Sequence, residues 1–424
     1  MYKLSKYNIF LKRNNSLVLC NTLNKKIFEF KRGINFDSSF GINDLDEELK
    51  FQLINKGFIV EKKQNELNRI KEIYYSEMND EYKLGLTISV TQSCNLNCVY
   101  CCQQYNNSSY LSKTDENGIL TFIRNKIKTI KYLNIAWFGG EPFMNLNSII
   151  RLASTISKLC SFRGIVFQST IFSNGTLINE ENIESIKAVR VSSIRITLDG
   201  PPNIHDKLRP GLGGKSTFYD TLSGVKIALK IFKNVTCGIN INYENMDFIE
   251  NLLYILAEFK DKNLYILFTR TIPNKFFTKV LTIREYAEIE FELAKMAIRF
   301  GLRHSAVSFS NFGSPCAAVC KNHYAIEPNL KIHRCYEQIG DDSCCDGIIK
   351  KGRFISNLSD SRWHNYNPFD KECEECVYLP LCFGGCPYQR LVCYRKKIEN
   401  LKEKYVCTPR RFNLHKLVIF ENQH

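Results

Sequence analysis

The sequence of 424 residues predicts an α/β fold. Six strand–helix units form an incomplete barrel, a small α+β element precedes it, and a cysteine-rich segment follows. Three observations carry this. Short β-branched or aliphatic runs alternate with helical patterns six times between residues 86 and 302. Each run ends on a polar or glycine-containing segment, which places such residues on one rim of a barrel. Most of the eighteen cysteines fall into two spacings too regular for core packing alone.

Residues 1–82 have their own pattern. Tyr7 to Lys12, Ser16 to Asn21 and Lys26 to Phe30 read as strands separated by the turn pairs Asn14-Asn15 and Asn24-Lys25. A helix follows, with Asn43 as its cap, Asp44 and Glu47 at its positive end, and Leu45, Leu49 and Leu53 on one stripe; Gly57 stops it before Phe58-Ile59-Val60. From 83 to 302 the expected strands are Leu86 to Thr91, Leu133 to Phe138, Ile165 to Ile171, Ser193 to Leu198, Val235 to Ile241 and Leu264 to Thr269. Their composition suits burial on both faces. One intervening helix carries Leu222, Val225, Leu229 and Phe232 on a stripe. The strands run in turn into Cys94, Gly139-Gly140-Glu141-Pro142, Ser173-Asn174-Gly175, Asp199-Gly200, Asn242 and Arg270. Residues 303–424 hold the denser cysteines and a hairpin of Tyr324 to Ile326 with Lys331 to Cys335, turning through Pro328-Asn329.

Composition bounds the function. A hydrophobic fraction of 44% and a charged fraction of 24% are those of a globular chain of two or three domains. The N-terminus carries no secretory pattern and no apolar run spans a bilayer, so a cytoplasmic protein without a membrane partner is expected. In that reducing compartment the cysteines are read as metal or cluster ligands. The formal charge of +15 is spread through a Lys-, Asn- and Ile-rich chain with no single basic stripe. Nucleic acid is therefore not expected, and an acidic peptide suits the surface better.

Cys94, Cys98 and Cys101, in the run Cys94-Asn95-Leu96-Asn97-Cys98-Val99-Tyr100-Cys101, supply three thiolates in one loop. A cubane [4Fe–4S] cluster needs four ligands, so three leave one iron unligated; the competing reading is zinc, which takes four N/S ligands. The CxxxCxxC spacing resembles the signature of radical S-adenosylmethionine (SAM) enzymes. That resemblance implies a cluster whose free iron chelates SAM and an electron that cleaves SAM to a 5′-deoxyadenosyl radical. Gly139, Gly140 and Glu141 resemble the family's GGEP segment, which binds the amino group of SAM. Tyr100 resembles the aromatic residue near the adenine, and Ser173, Asn174 and Thr197 resemble positions lining the SAM pocket; strand-end caps and turns are the alternative for these three. His205, Asp206 and Arg209 resemble an HDxxR stretch, or form a solvated turn.

The C-terminal run Cys373-x2-Cys376-x5-Cys382-x3-Cys386, with Cys316, Cys320 and Cys335 before it and Cys407 after it, resembles the SPASM domain, which holds two auxiliary [4Fe–4S] clusters. By resemblance Cys316, Cys320, Cys335 and Cys386 hold the first and Cys373, Cys376, Cys382 and Cys407 the second, with Cys393 competing with Cys407. Cys102, Cys344 and Cys345 are read as spectators and Cys20, Cys160 and Cys237 as core. The N-terminal element resembles the small winged-helix module that recognises leader peptides, or is an accessory domain. Together these imply an enzyme that modifies a ribosomally made precursor peptide, forming thioether or carbon–carbon links, with an electron donor such as flavodoxin or ferredoxin. Its catalytic base is not identifiable from the sequence. Sulfatase maturases, which make formylglycine, share the architecture but generally carry Asp after the cysteine corresponding to Cys335, where this chain has Tyr336 and then Glu337. From another class, a zinc-ribbon protein binding nucleic acid would use the same cysteines without catalysis.

Overall fold

The computed structural model describes residues 1–13, 16–30, 42, 45–103, 108–274, 276–304, 313–357, 363, 366–396 and 402–421. The chain divides into two compact units: Met1–Met78 with Val307–Cys316 and Tyr366–His424, and Asn79–Ala306 with Ala317–Asn365.

In the first unit β1 (Tyr2–Leu4) comes before an antiparallel sheet of β2 (Asn8–Arg13), β3 (Ser16–Asn21) and β4 (Lys26–Phe30), with β3 central. Next come α1 (Glu47–Asn55), β5 (Ile59–Glu61), which pairs with β1, and α2 (Glu66–Met78). Strand β3 reads Ser-Leu-Val-Leu-Cys-Asn, apolar on both faces, and both are covered. Val18 and Cys20 pack with Leu381, Leu414 and Val418, while Leu19 packs with Phe30, Leu53 and Phe58. The cap of α1 is Asp46, whose carboxylate accepts from the Leu49 N–H at 2.7 Å, so the helix begins one turn later than the sequence suggested. The expected cap Asn43, its neighbour Asp44, and the turn pair Asn14-Asn15 lie outside the described residues.

The second unit alternates β6 (Lys83–Thr91), α3 (Lys113–Lys126), β7 (Tyr132–Gly139), α4 (Leu146–Arg163), β8 (Val166–Ser173), α5 (Glu180–Ala188) and β9 (Ser193–Thr197). It continues through α6 (Pro202–Leu208), α7 (Phe218–Ile231), β10 (Val235–Ile241), α8 (Ile249–Leu256), β11 (Leu264–Arg270), α9 (Ile283–Arg299) and β12 (Arg303–His304). The six expected strands are β6 to β11, hydrogen-bonded in sequence order and all parallel. The sheet then grows at both ends. β12 adds in parallel beside β11, and β13 (His323–Ile326) adds in parallel beside β6. β14 (Lys331–His333), β15 (Gly347–Lys350) and β16 (Arg353–Ser356) follow antiparallel. The hairpin from β13 to β14 turns at Asn329 with φ 65°, a left-handed conformation that Asn tolerates.

Burial on both faces holds for β6, which is buried at every position from Leu86 to Thr91, but not for β7 and β9. Along β7, Leu133, Ile135 and Trp137 are buried while Tyr132 and Asn134 are exposed and Ala136 and Phe138 are half-buried; β9 repeats this, with Ile194 and Ile196 buried and Ser193, Arg195 and Thr197 half-buried. A sheet that does not close leaves its inner face open to solvent, so only the face beneath the helices needs to be apolar. In α7 the buried stripe runs through Leu222, Val225 and Ala228, with Leu229 half-buried and Phe232 just beyond the helix.

The remaining helices, α10 (Lys371–Glu375), α11 (Leu379–Cys382), α12 (Pro387–Lys396) and α13 (Arg410–Glu421), belong to the first unit. Among the described residues no helix is long and apolar enough to cross a membrane.

Gly140 is a tight joint of the rim. Its N–H donates to Thr91 O at 2.9 Å, and an added Cβ would strike the Ser93 carbonyl just before Cys94. Gly140→Ala is expected to cost about 1–3 kcal/mol by overpacking, seen as a lower midpoint in chemical unfolding; an unchanged midpoint would refute the close approach.

Candidate active site

The cysteine loop follows β6 and is clamped by the segment after α6. Asn97 N donates to Pro210 O at 2.7 Å, Val99 N to Leu208 O at 3.0 Å, and Leu212 N to Asn95 O at 3.1 Å. His205, Asp206 and Arg209 build that clamp and do not form a solvated turn. The His205 ring is fully buried and its Nδ1 accepts from the Asp199 N–H at 3.2 Å. Asp206 accepts from Thr217 N and Phe218 N at 2.8 and 2.9 Å at the start of α7. Arg209 reaches back beneath the loop.

There, Tyr100 OH donates to Asp199 Oδ2 and accepts from Arg209 Nη1 at 2.6 Å and Asn240 Nδ2 at 3.2 Å. Asp199, fully buried at the end of β9, also accepts from Asn240 N at 2.7 Å and faces Arg209 at 3.6 Å. Burial pushes the Cys98 thiol up to about 12 and Cys94 to about 11, and raises Cys101 as well; the Arg209 guanidinium opposes this at all three. Backbone N–H groups of Leu96 and Gln103 point at Cys94 and Cys101 sulfur, each at 3.4 Å, and Asn174 Nδ2 lies 3.8 Å from Cys94 sulfur. These donors and the cation favour thiolates, which is the form that ligates metal.

Glu141 is fully buried. Its carboxylate accepts from Phe143 N at 3.0 Å, Ser173 Oγ at 2.9 Å and Asn174 N at 2.7 Å, so it ties the end of β7 to the end of β8. The glycines before it serve close approach of backbone to backbone: Gly139 and Gly140 abut Thr91 and Ser93. Ser173 in turn accepts from Gly175 N at 2.9 Å, and Asn174 Nδ2 donates to Asn95 Oδ1 at 2.8 Å. The residues expected after β6, β7 and β8 are therefore brought together by direct bonds. Thr197 stands on the half-buried inner face of β9, paired in register with Gly238. Asn242 and Arg270, expected on the same rim, hold local turns: Asn242 Oδ1 accepts from Glu244 N at 2.9 Å, and Arg270 Nη1 donates to Leu281 O at 3.1 Å.

The inner face adds Arg195, which the sequence reading did not single out, and gives new neighbours to Tyr336, Glu337 and Cys102. Arg195 lies over the Phe172 ring at 5.7 Å and points to Thr269 Oγ1 at 3.4 Å. The Tyr336 ring meets Phe138 at 5.6 Å. Cys102, read as a spectator, stands half-buried beside Glu337, and desolvation raises both groups. Alternation along β9 and β10 was the available signal for Arg195 and Asn240.

In the first unit Cys373, Cys376, Cys382 and Cys407 line one cavity. Arg390 Nη1 lies 3.6 Å from Cys373 sulfur and Arg411 Nη1 3.7 Å from Cys407 sulfur; Asp370 binds Arg390 and holds Lys402 at 2.9 Å. Cys316 and Cys386 belong to this unit, Cys320 and Cys335 to the other. Cys20, Cys160 and Cys237 are buried core residues, and the Cys393 side chain lies outside the described set. Among the described residues no three His, Cys, Asp or Glu side chains converge on a single ion.

Residues 88–254 match the family model of the Radical SAM superfamily. The chain is 32% identical over 218 residues to the uncharacterized protein MJ0907 of Methanocaldococcus jannaschii, covering 50% of this chain and 72% of that protein. The chain belongs to the radical SAM superfamily. Its radical SAM relatives include the radical SAM cyclopropyl synthase TigE of Paramaledivibacter caminithermalis, 28% identical over 431 residues, covering 89% of this chain and 82% of that one. Its fold is similar to anSMEcpe solved with bound AdoMet and the Cp18Cys peptide (TM-score 0.61, 18% identity, 80% of this chain and 99% of that one). It is also similar to Streptococcus suis SuiB bound to precursor peptide SuiA (TM-score 0.54, 14% identity, 96% and 99%). Radical SAM enzymes use a [4Fe–4S] cluster and SAM, and the half-buried thiols of Cys94, Cys98 and Cys101, two of them facing backbone N–H groups, suit that donor set.

Burial pushes the Glu141 carboxyl up to about 7. An acid raised in the folded state keeps a proton that the unfolded chain has lost, so stability is present below the unfolded value and falls as pH rises from about 4.5 to about 7. Unfolding midpoints across that range are expected to fall for the wild-type chain and to stay level for Glu141→Gln; parallel curves would contradict the burial argument.

Proposed function

We propose that this chain is a radical SAM maturase acting on a ribosomally made precursor peptide. The observation that carries the reading is the cysteine loop: three thiols over one buried guanidinium, bound through Glu141 and Asn174 to neighbouring strand ends, above an inner face left open. Cys94, Cys98 and Cys101 would hold the SAM cluster, with Tyr100, Gly139, Gly140, Glu141, Ser173, Asn174 and Thr197 around the SAM itself. When bound, cluster and SAM supply the 5′-deoxyadenosyl radical. The chain's own residues fix the loop, exclude solvent beneath it and leave room at the barrel mouth for a peptide.

Cys373, Cys376, Cys382 and Cys407 are proposed ligands of one auxiliary cluster, and Cys316, Cys320, Cys335 and Cys386 of another. The cations near Cys373 and Cys407 would offset thiolate charge there. Residues 1–82 are proposed as the leader-recognition element, 83–302 as the barrel and 303–424 as the SPASM domain. SuiB was solved with its precursor peptide and covers nearly all of this chain, which supports a peptide substrate. The outer strands of the three-stranded sheet, each paired on one side only among the described residues, suit strand addition by a leader. A flavodoxin or ferredoxin in the cytoplasm would supply the electron.

Anaerobic wild-type protein is expected to hold roughly twelve irons, four for each of three clusters, and to release 5′-deoxyadenosine under a strong reductant. Cys98→Ala should hold roughly eight irons and release none, and retained 5′-deoxyadenosine formation by that variant would overturn the proposal.

A further inference from the structure

Because β13 runs parallel to β6, its carboxyl end lies on the same rim as the cysteine loop, and Glu327 directly follows it. Glu327 is 1% exposed and lines a cavity of about 290 Å³ with Gln92, Ser109, Asn329, Lys331 and Asp342. At about 30 Å³ per water the space exceeds what one or two bound waters fill. Gln92 lies two residues before Cys94, so the cavity adjoins the loop.

The charges in this cavity do not balance. Lys331 is taken by Asp342 at 2.6 Å. The Glu327 contacts all fall on Oε2: Gln92 Nε2 at 2.8 Å, Gly340 N at 2.6 Å and His333 Nε2 at 3.4 Å. Oε1 carries no hydrogen bond among the described residues. Gln92 is itself fixed by Ser109 Oγ at 2.7 Å, so the wall is preformed. This buried carboxylate is held by an amide and a backbone N–H, with the His333 imidazole 3.4 Å away and the nearby Lys331 ammonium bonded to Asp342, and its second oxygen is left to accept from a further donor. In a chain of formal charge +15 such a negative cavity is a local exception.

We infer that this cavity is a specificity subsite for a basic side chain of the peptide substrate, with Glu327 Oε1 accepting from its ammonium or guanidinium group. The inference rests on the proposed function for the substrate being a peptide. It adds which residue type the rim selects beside the reacting position. An alkyl chain of the same length would leave the carboxylate unpaired and is discriminated against for that reason.

The test is binding, which needs no turnover. Acetylated, amidated Gly-Lys-Gly and Gly-Arg-Gly are titrated into anaerobic holoenzyme alongside their norleucine and glutamate counterparts, with dissociation constants read by ligand-observed NMR. The basic peptides are expected to bind about tenfold tighter than norleucine, the discrimination a charge-assisted hydrogen bond provides. Glu327→Gln and, independently, Ser108→Trp, which fills the mouth without touching the buried network, are expected to abolish the preference. Equal binding of all four peptides, or a preference that survives in both variants, would overturn the subsite. Displacement of the lysine peptide by millimolar potassium at constant ionic strength would make it an inorganic cation site and overturn it too. Holoenzyme that forms 5′-deoxyadenosine but shows no preference loses only this inference, whereas a preference without 5′-deoxyadenosine formation loses only the proposed chemistry.

Discussion

Everything at the barrel mouth depends on one buried contact set, the Arg209 guanidinium held between the Tyr100 phenol and the Asp199 carboxylate. Three thiols in a surface loop would otherwise have no reason to stay together, since thiolates repel one another and buried thiols resist ionisation. The cation offsets that repulsion and joins three places in the chain: the loop and the end of β9, which supply its partners, and the turn after α6, which supplies the cation itself. A buried charge that loses its partner is costly, so the loop, the strand end and the turn are fixed as a group. Glu141 does the same for β7 and β8 with neutral donors. Two buried carboxylates thus set the relative heights of four strand ends.

Much of this was legible in the sequence because strands and motifs are local signals. The six barrel strands were found nearly to the residue, since β-branched runs bounded by polar residues persist whatever surrounds them. Their order followed from the short connections. The half-solvated inner face was missed although Ser193-Ile194-Arg195-Ile196-Thr197 alternates strictly; the expectation of burial on both faces outweighed the period-two pattern. The cap of α1 was displaced because Asn43, Asp44 and Asp46 are all competent acceptors and only the hydrogen bond decides among them.

What could not be read was long-range. Nothing local to His323–Ile326 says that this short run adds to the sheet beside β6, and so nothing said that Glu327 would meet Gln92. The HDxxR stretch was open to a solvated reading for the same reason: Tyr100, which Arg209 binds, lies 109 residues away. Cys102 looked redundant beside Cys101, yet its contact with Glu337 depends on the fold returning to the first strand after the barrel is complete.

That return has a bearing on synthesis. Gln92 and Glu327 are hydrogen-bonded but 235 residues apart, so the outer edge of β6 has no neighbour until nearly the whole barrel has left the ribosome. At a translation rate of about 5–20 residues per second, an apolar strand edge stands bare for on the order of ten seconds or more. Bare edges recruit other chains, so the nascent molecule is at its most aggregation-prone while its cysteine loop already exists but the hairpin that will flank it does not.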